Sequence, residues 1–205
     1  MIEALQMQVC NCVCGKENNM NHGVSSYHRF LQGDESALEL LVREYSDALV
    51  RYAYCFLQDW AASEDVMEET IVALVLKPKH FANDAAFHTY LYRVARNKCL
   101  DVLRSKRHDD VPLCDVEQVL SFSGETQLLE RLEREQLYKS MQKLPADYRD
   151  VLCLCYFEGF SVLEMTKILH KTKKQIYNLL ERAKKTLKKL LIKEGYYENL
   201  SSTNK

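Results

Sequence analysis

Nine lysines and arginines lie between Lys171 and Lys193 against a single acidic residue, Glu181. Such an imbalance suits contact with a polyanion, because neutralising phosphates and releasing their counterions dominates non-specific affinity for nucleic acid. The opposite sign is concentrated earlier: Glu64, Asp65, Glu68 and Glu69 fall within six positions. On a helix, where residues three and four apart are neighbours, they form a compact negative patch that repels DNA and suits a basic protein surface. A third cluster, Cys10, Cys12 and Cys14, alternates thiols in a way that could bind a soft metal or respond to oxidants. A structural metal site needs four ligands, however, and the only nearby candidate, His22, lies in an unpatterned stretch. No Gly-rich phosphate loop, Cys-x-x-Cys pair or nucleophile elbow is present, so no catalytic residue, metal or other cofactor is expected.

Helices must position these clusters. Six Gly and three Pro punctuate 205 residues, 47% are hydrophobic and 28% charged, and the composition reads as all-α. The formal net charge of -1 conceals the segregation of basic and acidic segments. No stretch approaches the roughly 18 apolar residues that a membrane span needs, so no membrane insertion is expected. Cys55, Cys99, Cys153 and Cys155 lie in apolar helical patterns and read as small buried hydrophobes, consistent with a reducing cytoplasm.

Residues 1–27 show no clear period, and Met20 offers a second start, so a chain beginning there is expected to fold. From Asp34, an N-cap, Leu38, Leu41, Tyr45, Leu49, Tyr52 and Phe56 recur at helical steps. Ser63 is suited to cap a second helix that carries the acidic patch and stops before Pro78. A loop over 77–85 leads to a third helix, about 86–107, with Phe87, Leu91, Val94 and Val102 inward. Arg93, Arg96, Lys98, Arg104, Lys106 and Arg107 make its exposed side basic.

Periodicity fades between Asp109 and Gln127, where Pro112, Gly124 and five acidic residues mark an acidic linker. Helical pattern resumes near Leu128 and breaks at Leu144-Pro145, and the following helix is expected to reach Gly159. Ser161 with Glu164, and Thr172 with Gln175, form two capping boxes eleven positions apart. A short helix (about 162–169), a turn at His170-Lys171, and a long helix with Ile176, Leu180, Ala183 and Leu187 inward complete a helix-turn-helix. The expected organisation is two small helical domains, 28–108 and 128–193, joined by a linker over 109–127. An extension over 1–27 and a tail over 194–205 flank them.

The run Ala62-Ser63-Glu64-Asp65-Val66-Met67-Glu68-Glu69-Thr70 resembles the acidic helix with which sigma factors grip the clamp helices of the polymerase largest subunit. Thr89-Tyr90-Leu91-Tyr92-Arg93-Val94-Ala95-Arg96-Asn97, continued by Asp101-Val102-Leu103-Arg104, is similar to their promoter-reading helix. Leu144-Pro145 through Ser161, with Glu164 and the run from Lys174 to Lys184, resembles their C-terminal helix-turn-helix. Three motifs in this order resemble the extracytoplasmic-function (ECF) group of RNA polymerase sigma factors.

The resemblance implies a non-catalytic initiation factor whose partners are core RNA polymerase and promoter DNA, with room for an anti-sigma factor. It implies that Glu64, Asp65, Glu68 and Glu69 bind core polymerase. His80, Phe81, Asn83, Arg93, Arg96, Asn97, Lys98 and Arg104 are then the candidates for the minus-ten element. For Phe81, base stacking and anchoring of the core are equally open. Thr172, Lys173, Lys174, Gln175, Tyr177, Asn178, Arg182 and Lys185 are the candidates for the minus-thirty-five element. The chain departs from the group's pattern at Leu76 and Tyr90, where Trp is common, and at His170, where Gly often stands. A non-Gly residue in a left-handed turn is strained there. A stand-alone helix-turn-helix repressor, or a redox-sensing regulator built on the cysteine run, are the competing readings.

Overall fold

The computed structural model describes residues 23–105, 137 and 139–194, and every regular element among them is helical. The chain runs through α1 (Gly23–Leu31), α2 (Glu35–Leu57), α3 (Trp60–Leu76), α4 (Asp84–Ser105), α5 (Ala146–Leu152), α6 (Val162–Leu169) and α7 (Lys173–Lys193). The Cys10/Cys12/Cys14 run, Met20, Lys106, Arg107, the linker and the start of the helix expected near Leu128 lie outside the described residues.

The first four helices pack around α2, whose residues Leu41, Tyr45, Leu49, Tyr52 and Phe56 are almost wholly buried. Their three- and four-residue spacing keeps them on one stripe. α1 begins inside the stretch that had shown no period, and Tyr27 explains why it is ordered. Its buried ring meets Phe87 and Phe81 at 5.6 Å, while its hydroxyl donates to Leu74 O and accepts from Lys79 N, both at 3.2 Å. At Gly23 a β-carbon would fall 2.2 Å from the Tyr45 hydroxyl, so only glycine fits where α1 crosses α2.

Two helix starts differ from the sequence expectation. α3 opens at Trp60 rather than after Ser63, because Asp59 is the cap and accepts from Ala62 N at 3.1 Å. Ser63 is buried in the first turn, its hydroxyl donating back to Asp59 O at 2.6 Å. The basic helix α4 opens at Asp84, two residues early, since Asn83 Oδ1 accepts from Ala86 N at 2.9 Å.

In the second half, a helical stretch through residues 139–142 leads to Pro145, which stands just before α5. The helix expected to reach Gly159 instead gives up α-geometry at Cys153. Residues Cys153–Phe157 form a π-helical turn closed by Glu158 N to Cys153 O at 3.1 Å, and Gly159 then takes φ +70°. Inserting that extra residue turns Glu158 and Phe160 toward the first four helices. α6 and α7 follow with both capping boxes formed as expected.

The two halves are in contact. Asp150 of α5 lies at their junction, accepting from Tyr52 Oη at 2.8 Å and from Arg96 Nε at 2.7 Å. Nearby, Tyr92 donates to Glu158 and stacks edge-on against Phe160 at 4.8 Å. Arg149 reaches Phe56 O at 3.3 Å and Gln58 reaches Gln142 O at 3.2 Å.

Candidate polymerase and promoter surfaces

The acidic patch is as compact as its spacing implies. Glu64, Asp65, Glu68 and Glu69 are all exposed along α3, while Val66, Thr70, Ile71 and Leu74 fill its buried side. The patch continues into two apolar residues that sequence reasoning did not assign, Val72 and Leu76, 52% and 73% exposed. Their signal was their register, four and eight residues beyond Glu68 on the same face. Both ends of the patch are held: Trp60 Nε1 donates to Glu64 at 2.9 Å, and Lys98 of α4 pairs with Glu69 at 2.6 Å.

The minus-ten candidates divide into three sets. Asn97 and His80 are exposed; Arg93 is half-buried with its guanidinium over the Tyr90 ring; Lys98 is half-buried in its pair with Glu69; Arg104 is exposed and pairs with Asp101 at 3.0 Å. Asn83 is exposed but already engaged as the cap of α4, and Phe81 is wedged among Tyr27, Phe87 and Tyr90 with centroids 5.2–5.6 Å away. Of the two roles open for Phe81, anchoring is the one it fills here.

Arg96 forms the third set and corrects the expectation of an exposed basic side. It is only 8% exposed, and Asp150, 1% exposed, takes its Nε from the other half of the chain. Two buried charges this close require each other, since removing either leaves an uncompensated ion. Burial pushes the Asp150 carboxyl above its ordinary range, with Arg96 and the Tyr52 hydroxyl opposing that rise. The Tyr52 and Tyr92 phenols are likewise pushed well up by burial, so both remain hydrogen-bond donors. Glu158 is pushed up to about 7, chiefly by burial, against the hydrogen bond from Tyr92 and the charge of Arg51.

The helix-turn-helix is built from local signals. Ser161 accepts from Glu164 N and Thr172 from Gln175 N, each at 3.3 Å, while each partner side chain reaches back to the cap backbone. Between the boxes His170 sits at φ 53°, ψ 40°, the left-handed conformation that glycine adopts without strain. Ile176, Leu180 and Ala183 are buried, turning Thr172, Lys173, Lys174, Gln175, Tyr177 and Asn178 outward. Tyr177 is 60% exposed, too much for a core residue of its size. Arg182 and Lys185 are also exposed, and Lys185 pairs with Glu181 at 2.7 Å. The Gln175 carbonyl oxygen is occupied by Thr172 N at 2.8 Å, so its amide NH2 is the end suited to meet a base.

Among the described residues no helix is long and apolar enough to cross a membrane, and no group of three or more His, Cys, Asp or Glu could hold a metal ion.

Residues 41–108 match Sigma-70 region 2 and residues 134–187 match Sigma-70 region 4. Over 175 residues the chain is 29% identical to the RNA polymerase sigma-H factor of Pseudomonas aeruginosa, covering 80% of this chain and 90% of that one. Over 171 residues it is 25% identical to the ECF RNA polymerase sigma factor SigW of Bacillus subtilis, covering 78% and 91%. Among solved structures, CnrH in complex with the cytosolic domain of CnrY superposes with TM-score 0.60 at 23% identity, covering 85% of this chain and 97% of that one. The sigma factor RpoE of Bartonella quintana, in complex with the anti-sigma factor NepR, superposes with TM-score 0.59 at 20% identity, covering 75% and 95%. With two regions matched in order over more than half of its 205 residues, and relatives that span both, the chain belongs to the ECF group of sigma-70 factors.

Proposed function

We infer that this sigma factor binds core RNA polymerase through the acidic face of α3 and directs promoter-specific initiation by meeting DNA with α4, the loop before it, and α7. The observation that carries the reading is the exposure of two opposite charges on separate helices of one chain. Glu64, Asp65, Glu68 and Glu69 form one, and the basic start of α7 the other. A negative patch repels DNA and suits a basic protein, and α7 has the opposite property, so the chain is suited to bridge the two. Val72 and Leu76 add apolar area beside the acidic residues, supplying affinity where charge alone supplies steering and register.

On this reading α7 enters the major groove of the minus-thirty-five element. Lys173 and Lys174 meet phosphates, and Gln175, Tyr177 and Asn178 meet base edges, with Thr172 fixing the helix start. At the minus-ten element, melting is coupled to capture of an unstacked base, a cost of a few kcal/mol that phosphate and pocket contacts must offset. His80 is the exposed candidate in the loop, and Arg93, Asn97, Lys98 and Arg104 are the candidates on α4. The factor performs no chemistry of its own and works in the cytoplasm beside the polymerase. An anti-sigma protein is a further partner compatible with this reading.

Reversing two charges, Asp65→Lys with Glu68→Lys, tests it. Both are exposed, so the fold should change by no more than about 0.5 kcal/mol. Affinity for core polymerase should fall by several kcal/mol, as like charges do when set against a complementary interface. A folded variant with unchanged affinity would remove α3 as the docking surface and favour a stand-alone repressor, which binds operator DNA without polymerase.

A further inference from the structure

The loop between α3 and α4 carries an exposed cation that the promoter reading does not use, Lys79. Its backbone and its side chain are held by two different tyrosines. The Tyr27 hydroxyl, reaching over from α1, accepts from Lys79 N and donates to Leu74 O, both at 3.2 Å. Leu74 O lacks a helical donor because the residue four further on is Pro78, which has no N–H. One hydroxyl, donor and acceptor at once, therefore ties the last turn of α3 to the loop beyond that proline. The Lys79 side chain lies over Tyr90, with Nζ 4.7 Å from the ring centroid, and Arg93 of α4 brings its guanidinium to 5.6 Å from the same centroid. Phe81 packs against both Tyr27 and Tyr90, so the loop is pinned before and after the exposed His80.

These two cations differ from their neighbours in what holds them. Arg29 pairs with Asp34, Arg96 with Asp150, Lys98 with Glu69 and Arg104 with Asp101. Lys79 and Arg93 form no ion pair among the described residues, and an aromatic face holds them instead. A carboxylate partner cancels a cation's charge, whereas a ring quadrupole orients the cation and leaves its charge whole. Two placed, unneutralised positive charges thus share one ring beside His80. Such a pair fits a backbone phosphate, whose contacts position a strand without reading its sequence.

We propose that Lys79 is a further minus-ten contact, which with Arg93 clamps a backbone phosphate of the unwound promoter strand, while Tyr27 and Tyr90 act as positioning residues for that clamp. The inference rests on the promoter reading above and deepens it. Loop and side-chain freedom given up in the free protein is not lost again when the strand binds, so the pinned loop lowers the cost of capture. The phosphate contact then helps to offset the unstacking of a base. The minus-thirty-five duplex, assigned to α7, does not use the clamp.

The test uses holoenzyme reconstituted from core polymerase and the full chain, on a promoter recovered by run-off transcription from genomic fragments. Binding to a template pre-melted at the minus-ten segment is measured across a salt series. Lys79→Ala should lower the salt slope by about 0.7, the value for one single-strand phosphate contact, and weaken binding about fourfold near 0.15 M salt. Lys77→Ala, at an equally exposed lysine two residues away, should leave the slope unchanged. Tyr27→Phe keeps the ring and the charge of Lys79, so it should weaken binding with the slope unchanged. That loss should largely vanish in a Lys79→Ala background. An equal loss in both backgrounds is what a merely structural hydroxyl gives, and would overturn the positioning role of Tyr27. The clamp itself is overturned if Lys79→Ala leaves the slope unchanged, or if Lys77→Ala lowers it as much. A parent holoenzyme that yields no run-off product from any fragment would instead overturn the promoter reading. The same salt series with the full chain and single-stranded oligo(dT) would then still decide the clamp.

Discussion

The two helices proposed to meet DNA stand in opposite states. On α7 the outward residues from Thr172 to Asn178 are exposed, their orientation set by a capping box and an inward Ile176, Leu180 and Ala183 stripe. On α4 the basic residues have protein partners: Arg96 is paired with Asp150, Lys98 with Glu69, and Arg93 lies over Tyr90. The surface proposed for the minus-thirty-five element is already exposed in the free chain. Of the residues proposed for the minus-ten element, Arg96 is the one tied into the contact between the halves, so its availability is linked to how they are arranged.

The largest expected effect comes from Asp150→Ala. Breaking a buried ion pair costs about 3–5 kcal/mol when the remaining charge stays buried. Here Arg96 can escape by separation of the halves, so the loss should appear as opening rather than unfolding. Small-angle scattering should show a larger radius with helix content unchanged, and an unaltered radius would mean the pair does not hold the junction. Next in size are the exposed positions of α7. Asn178→Ala should cost about 1–3 kcal/mol on its preferred minus-thirty-five sequence and little on others, if it contacts a base. Lys174→Ala should weaken all duplexes and lower the salt slope by about 0.9.

A smaller effect separates the halves by pH. Glu158 ionises near 7 in the closed arrangement, against an ordinary value of 4.5 once it is exposed to water. Between those values the closed form binds a proton that the open form releases, so closure is favoured at low pH and weakened as pH rises through about 7. The radius should therefore grow from about pH 4.5 to about 7 in the parent chain and level off above that, and stay level throughout in Glu158→Gln, where Tyr92 still has an acceptor. The smallest effect is at the turn. His170→Gly should relieve the left-handed strain, offset by glycine's entropy in the unfolded chain, for a net gain of about 1 kcal/mol or less in thermal unfolding.

What the sequence disclosed follows the range of the forces involved. Both capping boxes and the inward stripe of α7 are local, encoded within a few residues, and were legible. Asp59 and Ser63, the latter with two following acids, are both valid helix starts in the sequence; burial of Ser63 decides for Asp59. The π-helical turn has no short-range signature in Cys153–Phe157, and arises where Glu158 and Phe160 turn toward Tyr92. The basic run of α4 places Arg96 on an exposed face by composition, yet it is buried. Its register between Tyr92 and Cys99, buried four residues before and three after, marks a second inward stripe. That stripe has meaning only once α5 and α6 lie against it. Its partner Asp150 is 54 residues away, a pairing that helical periodicity does not report.

The distance between the halves in the free chain and in the working complex tests the coupling most directly. Spin labels attached by cysteine-independent chemistry at Asp101 on α4 and Lys167 on α6, both exposed, would report it by pulsed dipolar spectroscopy. We predict one short distance in the free reduced chain, replaced by a longer one when core polymerase and promoter DNA are bound. A short distance that persists in a transcribing complex would show that α4 reads DNA with Arg96 still buried, and would contradict the account.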